Sequence, residues 1–127
     1  MARRVVISGT GPISALGVGI NDTWDAMRAG QSGLKPLTCF DPGAFPCHVG
    51  GQLDADIFKV RNHVPKSYRK AVKVMCRDVE LAVGGAVAAV LDAGLNTAGV
   101  DNEDGFMIPP DRMGCQIGSG LIAADVQ

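Results

Sequence analysis

Charge imbalance is nearly absent from this sequence. Twelve basic residues against thirteen acidic ones leave a formal charge of -1, which removes the electrostatic footprint of a nucleic-acid binder or of a protein held to an anionic membrane. No apolar run approaches the roughly 20 residues that a membrane-spanning helix needs. The opening MARRVV is basic, but it leads directly into a short apolar run and a glycine turn, without the apolar core and small-residue cleavage site of a secretory signal. Cysteine is limited to Cys39, Cys47, Cys76 and Cys115, widely spaced along the chain. That pattern suits reduced thiols in a cytoplasmic protein better than a disulfide framework. Histidine is scarcer still, at two residues. No pairing of Cys39, Cys47, His48 and His63 has the spacing of a zinc knuckle, so no metal is expected.

What the sequence does hold is a 46% hydrophobic composition over 127 residues, enough for one domain with a sizeable core. The most informative stretch runs from Lys66 to Gly94. Tyr68, Val72, Met75, Val79, Ala82, Ala86 and Val90 recur at steps of three and four, which predicts one face of a single α-helix and a core stripe along it. Lys66, Arg69, Lys70, Lys73 and Arg77 occupy the opposite face of the first half. Val83, Gly84, Val87, Ala88 and Leu91 replace them in the second half, so that part is apolar nearly all round and is expected to be buried. Gly94 supplies a left-handed stop, and at about 1.5 Å per residue the element would be roughly 40 Å long.

In chain order, Arg4–Ser8 is a β-branched run without polar alternation, read as a strand buried on both faces and ended by Gly9-Thr10-Gly11-Pro12. Asn21 is placed to cap a short helix through Ala29, closed by Gly30, with Trp24 and Met27 facing the core. Residues 31–65 read as an ordered but irregular connection, with one extended piece around Val49–Leu53. A polar stretch from Asn96 to Arg112 is expected to be exposed. Met113–Ile117 reads as a second buried strand, running into Gly118-Ser119-Gly120. Two short strands joined by a long helix predict an α/β class with a right-handed parallel crossover. Two strands cannot cover so apolar a helix, however. Either the chain associates over that surface or it is the front part of a larger fold.

The glycine turn at Gly9–Ser14 follows a strand, as a dinucleotide fingerprint would. Ser14 stands where the last glycine belongs, Pro12 removes a phosphate-binding N–H, and no helix opens until Asn21, so no nucleotide or other cofactor is expected. The glycines are read as permitting a tight turn and close packing.

The segments RRVVISGTGPISALG, TWDAMRAGQSGLKPLTCFD, LDAGL and RMGCQIGSGL resemble the N-terminal part of a β-ketoacyl-acyl carrier protein synthase, the elongating condensing enzyme of fatty acid and polyketide synthesis, in the thiolase-like superfamily. The ordered set Arg4-Val5-Val6, Gly9, Gly11, Ser14, Leu16-Gly17, Trp24, Gly30, Ser32-Gly33, Phe40-Asp41 and Gly118-Ser119-Gly120 carries the resemblance, which spans nearly the whole chain. It implies that residues 1–127 are a synthase-like N-terminal region with a partial thiolase-like fold. It also implies an acyltransferase whose nucleophilic cysteine and two histidines lie outside these residues, so that the chain alone is inactive. Lys66, Arg69, Lys70 and Lys73 then fall where such synthases engage an acyl carrier protein. Where the family carries an Arg/Lys-Met-Asp-Arg run, this chain has Val74-Met75-Cys76-Arg77. The rival expectation is a non-catalytic interaction module that binds a carrier protein or a synthase subunit. In either case Val83, Val87 and Leu91 are expected to drive self-association or to meet a synthase partner. No nucleic-acid or membrane partner is expected.

Overall fold

A computed structural model describes residues 3–53, 57–97 and 107–118. The chain first folds back on itself at a two-residue hairpin, β1 (Ile13–Ser14) and β2 (Gly17–Val18), paired antiparallel with Ile13 opposite Val18. The Ser14 hydroxyl accepts from Leu16 N–H at 3.2 Å and so stabilises the turn between them. Helix α1 follows over Ile20–Arg28. Its N-cap is Gly19 rather than the expected Asn21, and Thr23 Oγ1 donates to the Gly19 carbonyl at 2.8 Å. Asp22 in the first turn and Arg28 in the last complement the helix dipole.

Trp24 and Met27 do not face the core as expected; Trp24 is 56% exposed and Met27 is similarly open. The small side chain of Ala26 is the one α1 buries. With about 100° between successive residues, Trp24 points roughly 160° away from Ala26. The helix therefore buries its small-residue side and leaves its aromatic side uncovered.

Residues 31–65 are more regular than expected. They contain a second antiparallel pair, β3 (Leu34–Pro36) with β4 (Val49–Gly51), in which Leu34 opposes Gly51 and Pro36 opposes Val49. The pairing extends by one step through Leu37 N–H to the His48 carbonyl at 3.0 Å. Gln52 then ties the far side of the connection, accepting from Thr38 N–H at 2.9 Å and donating to Thr38 Oγ1 at 2.7 Å. Between the strands, Asp41 Oδ1 caps the short turn Pro42–Ala44 by accepting from Gly43 N–H at 3.0 Å, and Phe40 meets Phe45 edge-on at 5.8 Å.

The helix expected from Lys66 to Gly94 begins only at Arg77; α2 spans Arg77–Asp92. Met75 at ψ 130° and Cys76 at ψ 165° are extended and interrupt it, and the preceding residues form two short 3-10 turns, Lys66–Tyr68 and Ala71–Val74. Electrostatics favours the break, which separates Lys73 from Arg77. Lys66–Lys70, Arg69–Lys73 and Lys73–Arg77 would stack like charges at (i, i+4) along one helix, each pair costing about 0.2–0.5 kcal/mol. Asp78 and Glu80, by contrast, suit a helix N-terminus at Arg77. Tyr68, Val72 and Met75 therefore drop out of the expected core stripe, and within the helix Val79 and Ala86 are exposed.

The face that α2 buries is centred on Gly84. Phe58 and Val60, each 1% exposed, are the largest fully buried side chains. A Cβ at Gly84 would collide with the Phe58 ring and lie 3.0 Å from Ile13 Cδ1. One turn along, Gly9 and Gly11 press onto the α2 backbone: a Cβ on Gly11 would stand 2.6 Å from Ala89 N, and one on Gly9 2.6 Å from Ala93 N. Thr10 between them donates its N–H to Asp92 Oδ2 at 2.8 Å. Close packing is thus what Gly9 and Gly11 serve. Gly30 and Gly94 adopt φ 65° and 66°, and each ends its helix with a paired hydrogen-bond closure, Gln31 N–H to Ala26 and Leu95 N–H to Val90 among them.

The described strands pair only antiparallel. Arg4–Ser8 and Met113–Ile117 carry no strand assignment, and Val5 and Ile7 are 91% and 87% exposed. The expected parallel pair is therefore not seen. Of the expected polar stretch, residues 98–106 lie outside the described residues, as do Ser119 and Gly120; Pro110–Arg112 forms an exposed 3-10 turn. Among the described residues no helix is long and apolar enough to cross a membrane.

Candidate functional site

Lys66, Arg69, Lys70 and Lys73 all lie on the two short turns ahead of α2, and all four are exposed. From Phe58 to Arg77 the sequence contains no acidic residue, so nothing within this segment neutralises them. The turns hold themselves by i→i+3 bonds, with Tyr68 N–H donating to Pro65 at 3.0 Å and Met75 N–H to Val72 at 3.3 Å. Val72 is half-buried and points into a cleft of about 290 Å³, which it shares with Phe58, Val60, Arg77 and Glu80.

The fifth cation of the run behaves differently. Arg77 Nη1 donates to Glu80 Oε2 at 2.9 Å and to the Phe58 carbonyl at 3.2 Å, and its guanidinium carbon is 5.7 Å from the Phe58 ring centre. Nη2 is shielded from solvent and has no hydrogen-bond partner among the described residues. His63 stacks on Phe58 at 5.2 Å between ring centres. This grouping of Phe58, His63, Arg77 and Glu80 was not anticipated. The signal available for part of it was the Arg77/Glu80 spacing, three apart on a helix.

The remaining candidates do not converge. Cys39, Cys47 and Cys115 are exposed and Cys76 is half-buried at the start of α2; all four are free thiols. Cys47 Sγ donates to the Val49 carbonyl at 3.4 Å, and His48 Nε2 bonds the Phe45 carbonyl at 2.9 Å. Among the described residues no three His, Cys, Asp or Glu side chains gather at metal-binding distance. At Gly9–Gly11 the space a phosphate would need is filled by the backbone of α2. A second groove, about 450 Å³, is lined by apolar residues of both hairpins and α2, including Ile13, Leu16, Leu34, Leu53 and Leu81.

Comparison with known proteins places this arrangement. Residues 2–125 match the family model described as beta-ketoacyl synthase, N-terminal domain. A 3-oxoacyl-[acyl-carrier-protein] synthase 2 of Coxiella burnetii is 38% identical over 120 residues, which are 94% of this chain and 26% of that protein. The granaticin polyketide putative beta-ketoacyl synthase 1 of Streptomyces violaceoruber is 32% identical over 124 residues, 98% of this chain and again 26% of the relative. The chain thus spans about a quarter of the length of the curated relatives it matches. The solved structure of the ishigamide ketosynthase/chain length factor superposes with a TM-score of 0.59 at 34% identity, covering 74% of this chain and 22% of that one. By sequence and by fold, this chain belongs to the β-ketoacyl synthase family, through that family's N-terminal domain.

Proposed function

We propose that this chain is the N-terminal region of a β-ketoacyl-acyl carrier protein synthase-like acyltransferase, serving decarboxylative condensation in fatty acid or polyketide synthesis, and that its own thiols do not carry the acyl group. The observation that carries this reading is the match of residues 2–125 to the synthase N-terminal domain. An acyl-accepting cysteine needs an activated thiolate with a base beside it. Cys39, Cys47 and Cys115 stand exposed, while His48 bonds a backbone carbonyl and His63 stacks on Phe58.

The part of the reaction assigned to these residues is carrier recognition. Lys66, Arg69, Lys70 and Lys73 form an exposed cationic surface in a segment without acidic residues, suited to steering and orienting an acidic carrier protein. Within the whole fold, Arg4–Ser8 and Met113–Ile117 pair as neighbouring parallel strands, the exposure of Val5, Ile7 and Ile117 being the support for that pairing. The same apolar exposure favours as a second reading a non-catalytic module that meets a synthase subunit.

The test uses the purified chain with an acidic acyl carrier protein. Lys70→Glu/Lys73→Glu should weaken binding at low salt and flatten its salt dependence, because like charges then face each other. Unchanged affinity would remove the docking assignment. Incubation with an acyl-carrier thioester should leave all four cysteines unmodified by mass spectrometry; a stoichiometric acyl adduct on any of them would overturn the reading. Activity restored by adding a separately expressed remainder of a synthase would favour the enzyme over the module.

A further inference from the structure

The four exposed cations sit on a loop whose two ends are bridged by the Arg77 side chain. Phe58 and Arg77 are 19 positions apart, and the Arg77 guanidinium closes that interval through its bond to the Phe58 carbonyl. We infer that Arg77 is a positioning residue for carrier docking, a clamp at the base of the 58–77 loop that holds Lys66, Arg69, Lys70 and Lys73 in one binding-competent array. The inference rests on the docking reading above.

Three observations support the clamp. Arg77 is less open than the four exposed cations, with its side chain 32% exposed: Nη1 is shared between Glu80 and Phe58, and Nη2 is shielded from solvent. Its charge is therefore spent inside the molecule, unlike those of the four exposed cations. The end it grips is fixed, because Phe58 is 1% exposed and is seated in the notch that Gly84 leaves on α2. Past its anchored start, where Val60 is 1% exposed and His63 stacks on Phe58, the loop has little of its own to hold it closed. From Pro65 onward its backbone bonds are i→i+3 contacts at 3.0 to 3.4 Å, such as Arg69 N–H to Lys66 at 3.3 Å and Lys73 N–H to Lys70 at 3.4 Å. Its cations repel one another with no acid in the segment. Val72 reaches the same cleft as Arg77 and adds an apolar contact to the closure.

Loss of the clamp lowers the closed fraction of the loop, and apparent affinity falls in proportion to that fraction. The complex, once formed, still uses the same cations. Arg77→Met should therefore raise the Kd for an acidic carrier protein about fivefold if the closed fraction drops to about one fifth, with the salt slope preserved. Arg77→Lys, which keeps a cationic donor for the Phe58 carbonyl, should recover part of the loss. Amide exchange at Tyr68 and Lys73 should accelerate in Arg77→Met while Ala93 at the end of α2 keeps its protection, a split that general destabilisation would not produce. Wild-type affinity in Arg77→Met, or equal acceleration at Ala93, would overturn the clamp. Lys70→Glu/Lys73→Glu separates the two failures. If that variant binds normally, the docking reading falls and takes the clamp with it; if it binds weakly while Arg77→Met binds normally, only the clamp falls.

Discussion

Substituting Gly84 tests the packing that the whole structure turns on, because two opposing effects of known size meet there. Replacing a mid-helix glycine by alanine ordinarily stabilises by about 1 kcal/mol, through backbone entropy. At Gly84 the added methyl would collide with the Phe58 ring and stand 3.0 Å from Ile13 Cδ1. The ring cannot retreat to solvent, since it is 1% exposed and both Arg77 and His63 rest against it. Overpacking of a closed site costs about 1–3 kcal/mol, and a blocked ring belongs at the upper end. Gly84→Ala should therefore lose about 2 kcal/mol net. Gly85→Ala is the internal control: among the described residues its Cβ would meet only the Gly11 carbonyl, at 3.2 Å, a tight contact that offsets the helix gain without a ring collision, so its loss should be clearly smaller than that of Gly84→Ala. Urea titration at one fixed protein concentration should show a midpoint about 1–2 M lower for Gly84→Ala with m unchanged. Phe58→Leu in the Gly84→Ala background should be less harmful than the two changes summed, with a coupling of at least about 0.5 kcal/mol. Equal midpoints for Gly84→Ala and Gly85→Ala would refute the reasoning.

Two further outcomes follow from the same packing. Asp92→Ala removes the acceptor that holds Thr10 N–H at 2.8 Å, so limited proteolysis should cut ahead of Gly9 sooner than in the wild type, with α2 left intact by mass spectrometry. Leu91 and Ile7 are exposed at 53% and 87%, and an uncovered side chain of that size forgoes about 1.5–3 kcal/mol of burial; light scattering should show the wild-type chain associating, and Ile7→Lys/Leu91→Lys should shift it toward monomer.

Helix ends were the most readable feature of the fold, and helix beginnings the least. Gly30 and Gly94 were recognisable stops because a left-handed residue is needed at each and glycine is the residue that adopts it freely; the structure gives both positive φ. The starts failed for a common reason. Apolar periodicity through Tyr68, Val72 and Met75 continues smoothly into Val79, so spacing alone carries the helix across a break that charge favours. At α1 the cap is Gly19 rather than Asn21, and Trp24 and Met27, expected to face the core, are exposed while Ala26 is buried. The extended piece expected around Val49–Leu53 includes β4 at Val49–Gly51, but its pairing with β3 was hidden by Pro36 and the glycines at 50 and 51, which break alternation without preventing a short antiparallel ladder.

The candidate site shows how a local break changes what a charge does. On one continuous helix, Lys73 and Arg77 would be (i, i+4) neighbours on the same face, and five cations would form a single stripe. Extended Met75 and Cys76 separate them: Lys73 stays exposed on its turn, while Arg77 enters the first turn of α2 beside Glu80 and folds back over Phe58. Composition announced the cationic surface, and no periodicity could announce that one of its members faces inward. The repulsion that favours the break is also what the inward residue opposes. A loop rich in like charge opens unless something neutral or apolar closes it, and here the closing contacts are a backbone carbonyl, an aromatic ring and Val72, none of which the exposed cations can repel.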